Sequence, residues 1–201
     1  MSGAGLMGRV LSVQVGRVGA LGPGAMRSAF IKTPCDGAVA VGRLGLAGDM
    51  QGNPRVHGGP DKAVYVYPFE RYALWQERFA LLAPMFAPGG LGENLTVTGI
   101  DEEAVCVDDI FAVGTARLQV SEPRIPCRTI ALRFGDPAIG IAMRDTGWRG
   151  FYCRVLEEGL VRAGDAMTLI GRPNPRTRVA AIKPGRGASG LDGDKVIAPI
   201  K

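Results

Sequence analysis

Apolar and polar positions alternate in the first recognisable element. From Arg9 to Val15, the apolar Leu11, Val13 and Val15 are separated by Ser12 and Gln14, and a period of two with β-branched residues predicts a strand. A glycine- and proline-rich loop over 19–24 follows, then short apolar runs at 29–32 and 38–43, divided by Pro34 and Gly37, that predict two further strands. Between Leu44 and Lys62 the periodicity lapses amid Gly, Pro, Asp and Asn, which predicts a long irregular loop of the kind that often carries function. Ala63-Val-Tyr-Val-Tyr67 predicts a buried strand. Pro68 then fits a first helical position, with Phe69, Tyr72, Ala73, Phe79 and Leu82 on one face and an end expected before Pro84.

From Asn94 to Ser121 the β signal returns in pieces at 95–98, 104–107, 110–113 and 116–120. Gly99, Asp108, Asp109 and Gly114 lie between them, so the segment reads as an antiparallel run. Cys127, Ile130, Ala131 and Phe134 have the spacing of one helical face, begun at Pro126 with Cys127 in its first turn. A second short helix is predicted over 137–145, and closing strands over 150–156 and 166–170. Beyond Gly171 no core-forming pattern continues.

Composition supports a β-rich reading. The chain has 30 glycines and 14 prolines in 201 residues, which favours short elements joined by tight turns over a helical bundle. Its 46% apolar content is enough for one packed domain, placed at residues 9–171, with 172–201 as a basic tail. The net charge of +5 belongs to that tail: 17 basic and 17 acidic residues precede Arg172, against 7 and 2 from there onward. The body is neutral, so a nucleic-acid partner is disfavoured and the tail reads as a solvated charge run. No run approaches the roughly 20 apolar residues that span a bilayer, so no membrane partner is expected and the expected location is cytoplasmic, with reduced thiols.

Four cysteines, Cys35, Cys106, Cys127 and Cys153, are irregularly spaced without a C-x-x-C pair, which disfavours zinc and iron–sulfur sites. Cys127 stands apart in Ser121-Glu-Pro-Arg-Ile-Pro-Cys-Arg-Thr129. A helix start and the guanidinium groups of Arg124 and Arg128 would favour its thiolate, the form that attacks electrophiles or ligates a soft metal. The competing reading is a small buried hydrophobe. His57, the single histidine, lies in Arg55-Val-His-Gly-Gly-Pro-Asp-Lys62, where Gly58 and Gly59 let backbone approach a ligand. One histidine cannot build a multi-histidine metal site, but it can bond an anion or shuttle a proton. Glu93 and Asn94, in Leu91-Gly-Glu-Asn-Leu95, either cap a turn or place polar groups in a pocket. Asp101-Glu-Glu103 and Asp108-Asp109 read as decorated hairpin turns. Phosphate-loop, dinucleotide and nucleophile-elbow signatures are absent.

These motifs together resemble one family. Gly42-Arg-Leu-Gly-Leu with Gly48-Asp49, Val56-His-Gly-Gly-Pro-Asp-Lys-Ala-Val64, Leu91-Gly-Glu-Asn-Leu95 and Pro123-Arg-Ile-Pro-Cys127 are similar in order and spacing to the MOSC domain of YiiM-type proteins, over roughly Arg9 to Gly171. The resemblance implies a mainly β fold, a barrel-like domain with a few helices outside. It also implies a molybdopterin-type molybdenum cofactor, with Cys127 as the protein ligand to the metal. The activity implied is reduction of N-hydroxylated compounds such as hydroxylaminopurine-type bases, a detoxifying reaction. The candidate residues for binding the cofactor are Lys32, Arg55, His57, Gly58, Gly59, Asn94, Arg124 and Cys127, with Cys127 and His57 as the catalytic pair. A separate flavin or iron–sulfur reductase would deliver the electrons to a small-molecule substrate. The alternative is a non-catalytic sulfur or cofactor carrier using Cys127. Relatives commonly place an aromatic residue and a lysine after that cysteine, where this chain has Arg128 and Thr129, and often Phe where it has Leu91. Larger YiiM-like proteins also add a C-terminal helical bundle.

Overall fold

The alternation read over residues 9–15 becomes the first strand of a closed barrel. The computed structural model describes residues 5–52 and 58–183. Thirteen strands occur among them: β1 (Met7–Val15), β2 (Gly19–Leu21), β3 (Met26–Ser28), β4 (Thr33–Pro34), β5 (Val39–Gly42), β6 (Gly45–Leu46), β7 (Val64–Pro68), β8 (Leu95–Thr98), β9 (Ile110–Val113), β10 (Ala116–Pro123), β11 (Phe151–Glu157), β12 (Gly159–Val161) and β13 (Ala166–Gly171). Three α-helices, α1 (Arg71–Arg78), α2 (Arg128–Phe134) and α3 (Ala138–Thr146), pack outside. The barrel runs β1-β8-β7-β11-β10-β9-β13 and closes where β13 pairs with β1. Its neighbours are antiparallel except β7 and β8, which are parallel and joined through α1. The expected β-barrel with a few external helices is therefore the observed architecture.

β7 shows why the fold has two apolar clusters. All five of its residues are buried. Because successive side chains of a strand point to opposite faces, Val64 and Val66 enter the barrel core with Val10, Leu95, Phe111 and Phe151. Tyr65 and Tyr67 face outward beneath the helices, in a second cluster with Trp75, Phe86, Ile130, Phe134 and Ile139. Trp75 donates its indole N–H to the Tyr67 hydroxyl at 2.6 Å, so the polar tips of these rings are satisfied within the layer. The candidate site lies on the side of this second cluster, against Phe30, Tyr65 and Tyr152.

Several local expectations change. Pro68 ends β7 in register with Val97, and the helix begins only at Arg71. Its predecessor Glu70 turns back to accept hydrogen bonds from Thr98 Oγ1 at 2.5 Å and Gly99 N at 2.9 Å. Phe69 is thereby left exposed, and Pro84 sits inside a 3-10 turn over Ala80–Met85. Residues 29–32 connect β3 to β4 without joining a sheet, and the loop over 19–24 contains β2, which pairs with β3. The irregular stretch beginning at Leu44 includes the short β6 and a 3-10 turn at Pro60–Lys62. Residues 104–107 form no strand, because Asp101 Oδ1 accepts the N–H groups of Glu103 and Ala104, both at 3.0 Å, and turns the chain. The segment 95–120 is not one antiparallel run either: β9 and β10 form a hairpin, while β8 lies across the barrel between β7 and β1.

Beyond Gly171 the chain continues to pack on the barrel as far as it is described. Val179 is fully buried. Its N–H reaches Val105 O at 2.9 Å, while Val107 N reaches Thr177 O at 2.8 Å. Arg172 forks onto Asp109, donating to both carboxylate oxygens at 2.9 and 2.7 Å. The single short run Val179-Ala-Ala-Ile182 behind prolines and arginines is too brief to show a period, so this docking leaves almost no trace in the pattern.

Candidate functional site

The bend that follows β10 sets the geometry. Pro123 and Pro126 hold residues 123–127 extended, and Cys127, with φ −120° and ψ 173°, is the residue from which α2 starts. The thiol thus stands at the helix boundary one position before the predicted first turn. It is half-buried and lines a pocket with Lys32, Asp49, Lys62, Tyr65, Asn94, Arg124 and Tyr152. None of the four cysteines is in a disulfide.

Arg124 is the centre of the pocket wall. Its guanidinium lies 4.9 Å from the Tyr65 ring centroid and 5.4 Å from that of Phe30, positions from which aromatic faces attract a cation. Burial opposes its charge, but Tyr65, Tyr152 and Cys127 outweigh burial and hold its pKa above the ordinary arginine value. Arg124 Nη1 is buried without a hydrogen-bond partner among the described residues. A buried unmatched donor carries a free-energy cost, and Arg124 lines the pocket, so an anion bound there would meet a guanidinium with hydrogen-bonding capacity to spare.

Opposite it, Lys32 Nζ meets Asp49 Oδ1 and Oδ2 at 2.7 and 2.6 Å, with both side chains 8% exposed. Burial lowers the Lys32 pKa, and Asp49 pulls it back up. Asp49 also accepts Gly16 N at 2.7 Å and Asn94 Nδ2 at 2.8 Å. Asn94 in turn accepts Tyr65 N at 3.1 Å, so its amide ties this ion pair to β7. The neighbouring Glu93 is fully buried. It accepts N–H groups of Gly89 at 2.6 Å and Leu91 at 3.2 Å, the Thr96 hydroxyl at 2.9 Å, and a short bond from Tyr72. Glu93 therefore locks the turn that carries Asn94. Gly92, at φ +81°, stacks its bare Cα side against the Phe30 ring, where a side chain would be both strained and crowded.

Of the predicted site residues, Lys32, Asn94, Arg124 and Cys127 come together in this pocket. Gly58 and Gly59 precede the 3-10 turn and are not among its described lining residues. Arg55 and His57 lie outside the described residues. Of the two departures after the cysteine, Thr129 lines the pocket while Arg128 is exposed to solvent, so only the first alters the wall. Sequence reasoning gave no role to Asp49, Lys62, Tyr65 or Tyr152. Asp49 and Lys62 stood within the quoted motifs, and two tyrosines alternating with valines were the available sign that β7 has a second, functional face.

Four basic side chains line the pocket, Arg27, Lys32, Lys62 and Arg124; Lys32 pairs with the lining carboxylate of Asp49, and Lys62 with Glu122 at 3.3 Å. The lining itself carries an excess of positive charge, suited to a phosphate or another oxyanion. Among the described residues no group of three or more His, Cys, Asp or Glu side chains could enclose a metal. A metal held at Cys127 would have to bring its other ligands with it, as a molybdopterin-bound metal does. The donor set and the unmatched guanidinium nitrogen fit such a group.

Comparison with known proteins identifies the family. Residues 53–168 match the MOSC domain. The chain is 43% identical to YflK of Bacillus subtilis over 147 residues, 73% of this chain and 65% of that protein, so it spans slightly less than two thirds of that relative. It is 38% identical to YiiM of Escherichia coli over 162 residues, 81% of this chain and 72% of that one. A protein named Reductase from Gibberella moniliformis is 36% identical over 179 residues, 88% of this chain and 32% of the longer relative. The crystal structure of YiiM from Geobacillus stearothermophilus superposes with a TM-score of 0.71 at 35% identity, covering 86% and 80% of the two chains. No helix among the described residues is long and apolar enough to cross a membrane. With the domain match, these relatives and the barrel in agreement, the chain belongs to the MOSC-domain family, among its YiiM-like proteins.

Proposed function

We propose that this protein holds a molybdopterin-type molybdenum cofactor through Cys127 and reduces N-hydroxylated compounds, hydroxylaminopurine-type bases among them. The observation that carries the reading is the pairing, in one pocket, of a half-buried thiol with a buried guanidinium nitrogen that lacks a partner. The relative named Reductase supports the redox class.

In this reading Cys127 is the soft protein ligand to the metal, and Arg124 and Lys62, with Arg27 at the rim, bind the anionic part of the cofactor. When bound, the cofactor supplies the two-electron chemistry. The reaction converts R–NH–OH, two electrons and two protons into R–NH2 and water, so proton donors must reach the departing hydroxyl. Lys32, held by Asp49, is the acid–base pair nearest to hand, and His57 remains a candidate from the sequence. Phe30, Tyr65 and Tyr152 give the pocket flat apolar walls suited to a planar base. Residues 1–201 carry no flavin, nicotinamide or iron–sulfur signature, and the donor proposed for the electrons is a flavin or iron–sulfur reductase. A reduced thiol ligand suits a cytoplasmic setting.

The test is molybdenum and pterin analysis of purified protein beside Cys127→Ser, with turnover measured on an N-hydroxylated base and a reductase supplied. The parent should contain both components and turn over, and the variant should lose the metal. Metal-free protein with full activity sinks the proposal. A stable persulfide on Cys127 without turnover points instead to a sulfur or cofactor carrier.

A further inference from the structure

The acidic cluster at Asp101-Glu102-Glu103 contains a residue buried to 1% exposure, Glu102, which takes no part in the pocket lining. Its Oε1 accepts the N–H groups of Arg149 at 2.9 Å and Gly150 at 2.8 Å. Its Oε2 accepts Arg71 Nε at 3.0 Å from α1, and its backbone carbonyl accepts Ala180 N at 3.0 Å from the docked C-terminal segment. The 149–150 turn gripped in this way presents two carbonyls to the pocket wall. Arg149 O accepts the Tyr65 hydroxyl at 2.8 Å, and Gly150 O accepts Arg124 N at 3.3 Å. Gly150 cannot shift its place freely: at φ +63° an added Cβ would lie 2.3 Å from Val66 O. The Arg149 side chain also donates a short bond to Ile182 O, which ties the turn to the same C-terminal segment.

We infer that Glu102 is a positioning residue for the anion pocket, fixing Arg124 and Tyr65 through the 149–150 turn and linking their placement to the docked segment 172–183. Buried carboxylates that accept two backbone N–H groups and an arginine hold geometry tightly, and binding sites lose affinity when supporting residues let their first contacts drift. The inference rests on the anion-binding part of the proposed function and on none of its redox chemistry.

The experiment measures inorganic phosphate binding by calorimetry to the full chain expressed without cofactor. Glu102→Gln should weaken binding roughly tenfold, the size expected from loosening one charge-assisted hydrogen bond. Tyr65→Phe removes the hydroxyl that reaches Arg149 O and should reproduce part of that loss. The two changes should be non-additive in a double-mutant cycle, which a purely structural role would not produce. Met167→Ala, in the barrel core, serves as a control that lowers melting temperature without touching the turn, and its phosphate affinity should match the parent's. Should Glu102→Gln fail to fold, Tyr65→Phe decides alone. Unchanged affinity in Tyr65→Phe, additivity in the cycle, equal loss in Met167→Ala, or no phosphate binding by the parent overturns the inference. Phosphate binding by a chain that never acquires molybdenum would sink the proposed function and leave the positioning role standing.

Discussion

Asp49→Asn is the sharpest perturbation of the pocket, because it removes one charge with almost no change of shape. Asp49 holds Lys32 through two contacts of 2.7 and 2.6 Å, and both side chains are 8% exposed. An asparagine keeps one acceptor but turns an NH2 toward Lys32 and Asn94, leaving a buried ammonium without its counter-charge. Breaking a buried pair from one side typically costs about 3 kcal/mol or somewhat more, and for a domain of this size about 3 kcal/mol lowers the melting temperature by roughly 6–12 °C. The loss should depend on pH in a defined direction. Burial already lowers the Lys32 pKa from its ordinary 10.5, with Asp49 opposing the shift. Between the lowered folded value and 10.5 the unfolded chain binds more protons at this site, so stability rises with pH across that window. Removing Asp49 lowers the folded value further, which widens the window downward and steepens the climb. Thermal denaturation of parent and variant at about pH 7 and about pH 9.5 reads this directly: the gap should narrow at the higher pH as the lysine sheds its charge. Adding Lys32→Met should recover much of the loss, since an uncharged side chain of similar length removes the unpaired buried charge. A gap that is the same at both pH values, or a double variant worse than Asp49→Asn alone, would refute the assignment of this pair as buried and ionic.

Other outcomes follow from single contacts. Gly150→Ala forces a side chain into Val66 O from a left-handed backbone, and about 3 kcal/mol or more of destabilisation, seen as a fall in urea midpoint or loss of soluble protein, is expected. Val179→Ala should cost about 2 kcal/mol in chemical denaturation, whereas a residue in a merely solvated tail would cost nothing. Arg172→Gln leaves fully buried Asp109 with the Cys106 N–H at 2.8 Å but without its guanidinium fork. A melting-temperature loss equivalent to about 1–3 kcal/mol should follow.

Legibility differed between the barrel and the site for physical reasons. Strands β1, β8, β9, β10, β11 and β13 were readable because each puts a clear run or alternation of apolar residues against one barrel core. The start of α2 near Cys127 was readable from Pro126 and the four-residue helical face. The displaced start of α1 was not, because Pro68 serves equally as the last residue of a strand and the decisive contact, Glu70 to Thr98 and Gly99, is made between segments distant in sequence. The acidic clusters misled for the same reason. Glu102 and Asp109 look like surface turns until the partners that bury them, the 149–150 turn and Arg172, arrive from far along the chain. Within the site, the motifs drew attention to Cys127, Arg124 and Asn94, but hydrogen bonding between remote residues was needed to show that Asp49 and Tyr65 complete the same wall.

The placement of Arg124 explains why this pocket sits outside the barrel instead of inside it. A guanidinium among Val10, Leu95 and Phe111 would find no counter-charge in this apolar cluster, where the strand carbonyls are committed to sheet pairing. The desolvation cost of an isolated charge there would be large. On the outer face of β7, the Tyr65 and Phe30 rings flank it, and Tyr152 lies close enough to favour its charge. The proline-flanked bend also frees it from sheet pairing, so its nitrogens can turn toward a ligand. The alternation of valine and tyrosine along one strand thus does two jobs: valines seal the barrel, and tyrosines build a polarisable wall where a buried cation can wait for an anion. Replacing Tyr65 by leucine should separate these jobs. The barrel side of β7 would be unchanged and the fold retained, while the wall would lose both the ring face and the hydroxyl bound to Arg149 O. Phosphate binding should then weaken more than in Tyr65→Phe. Equal affinity in the two variants would show that the ring face contributes nothing to holding Arg124.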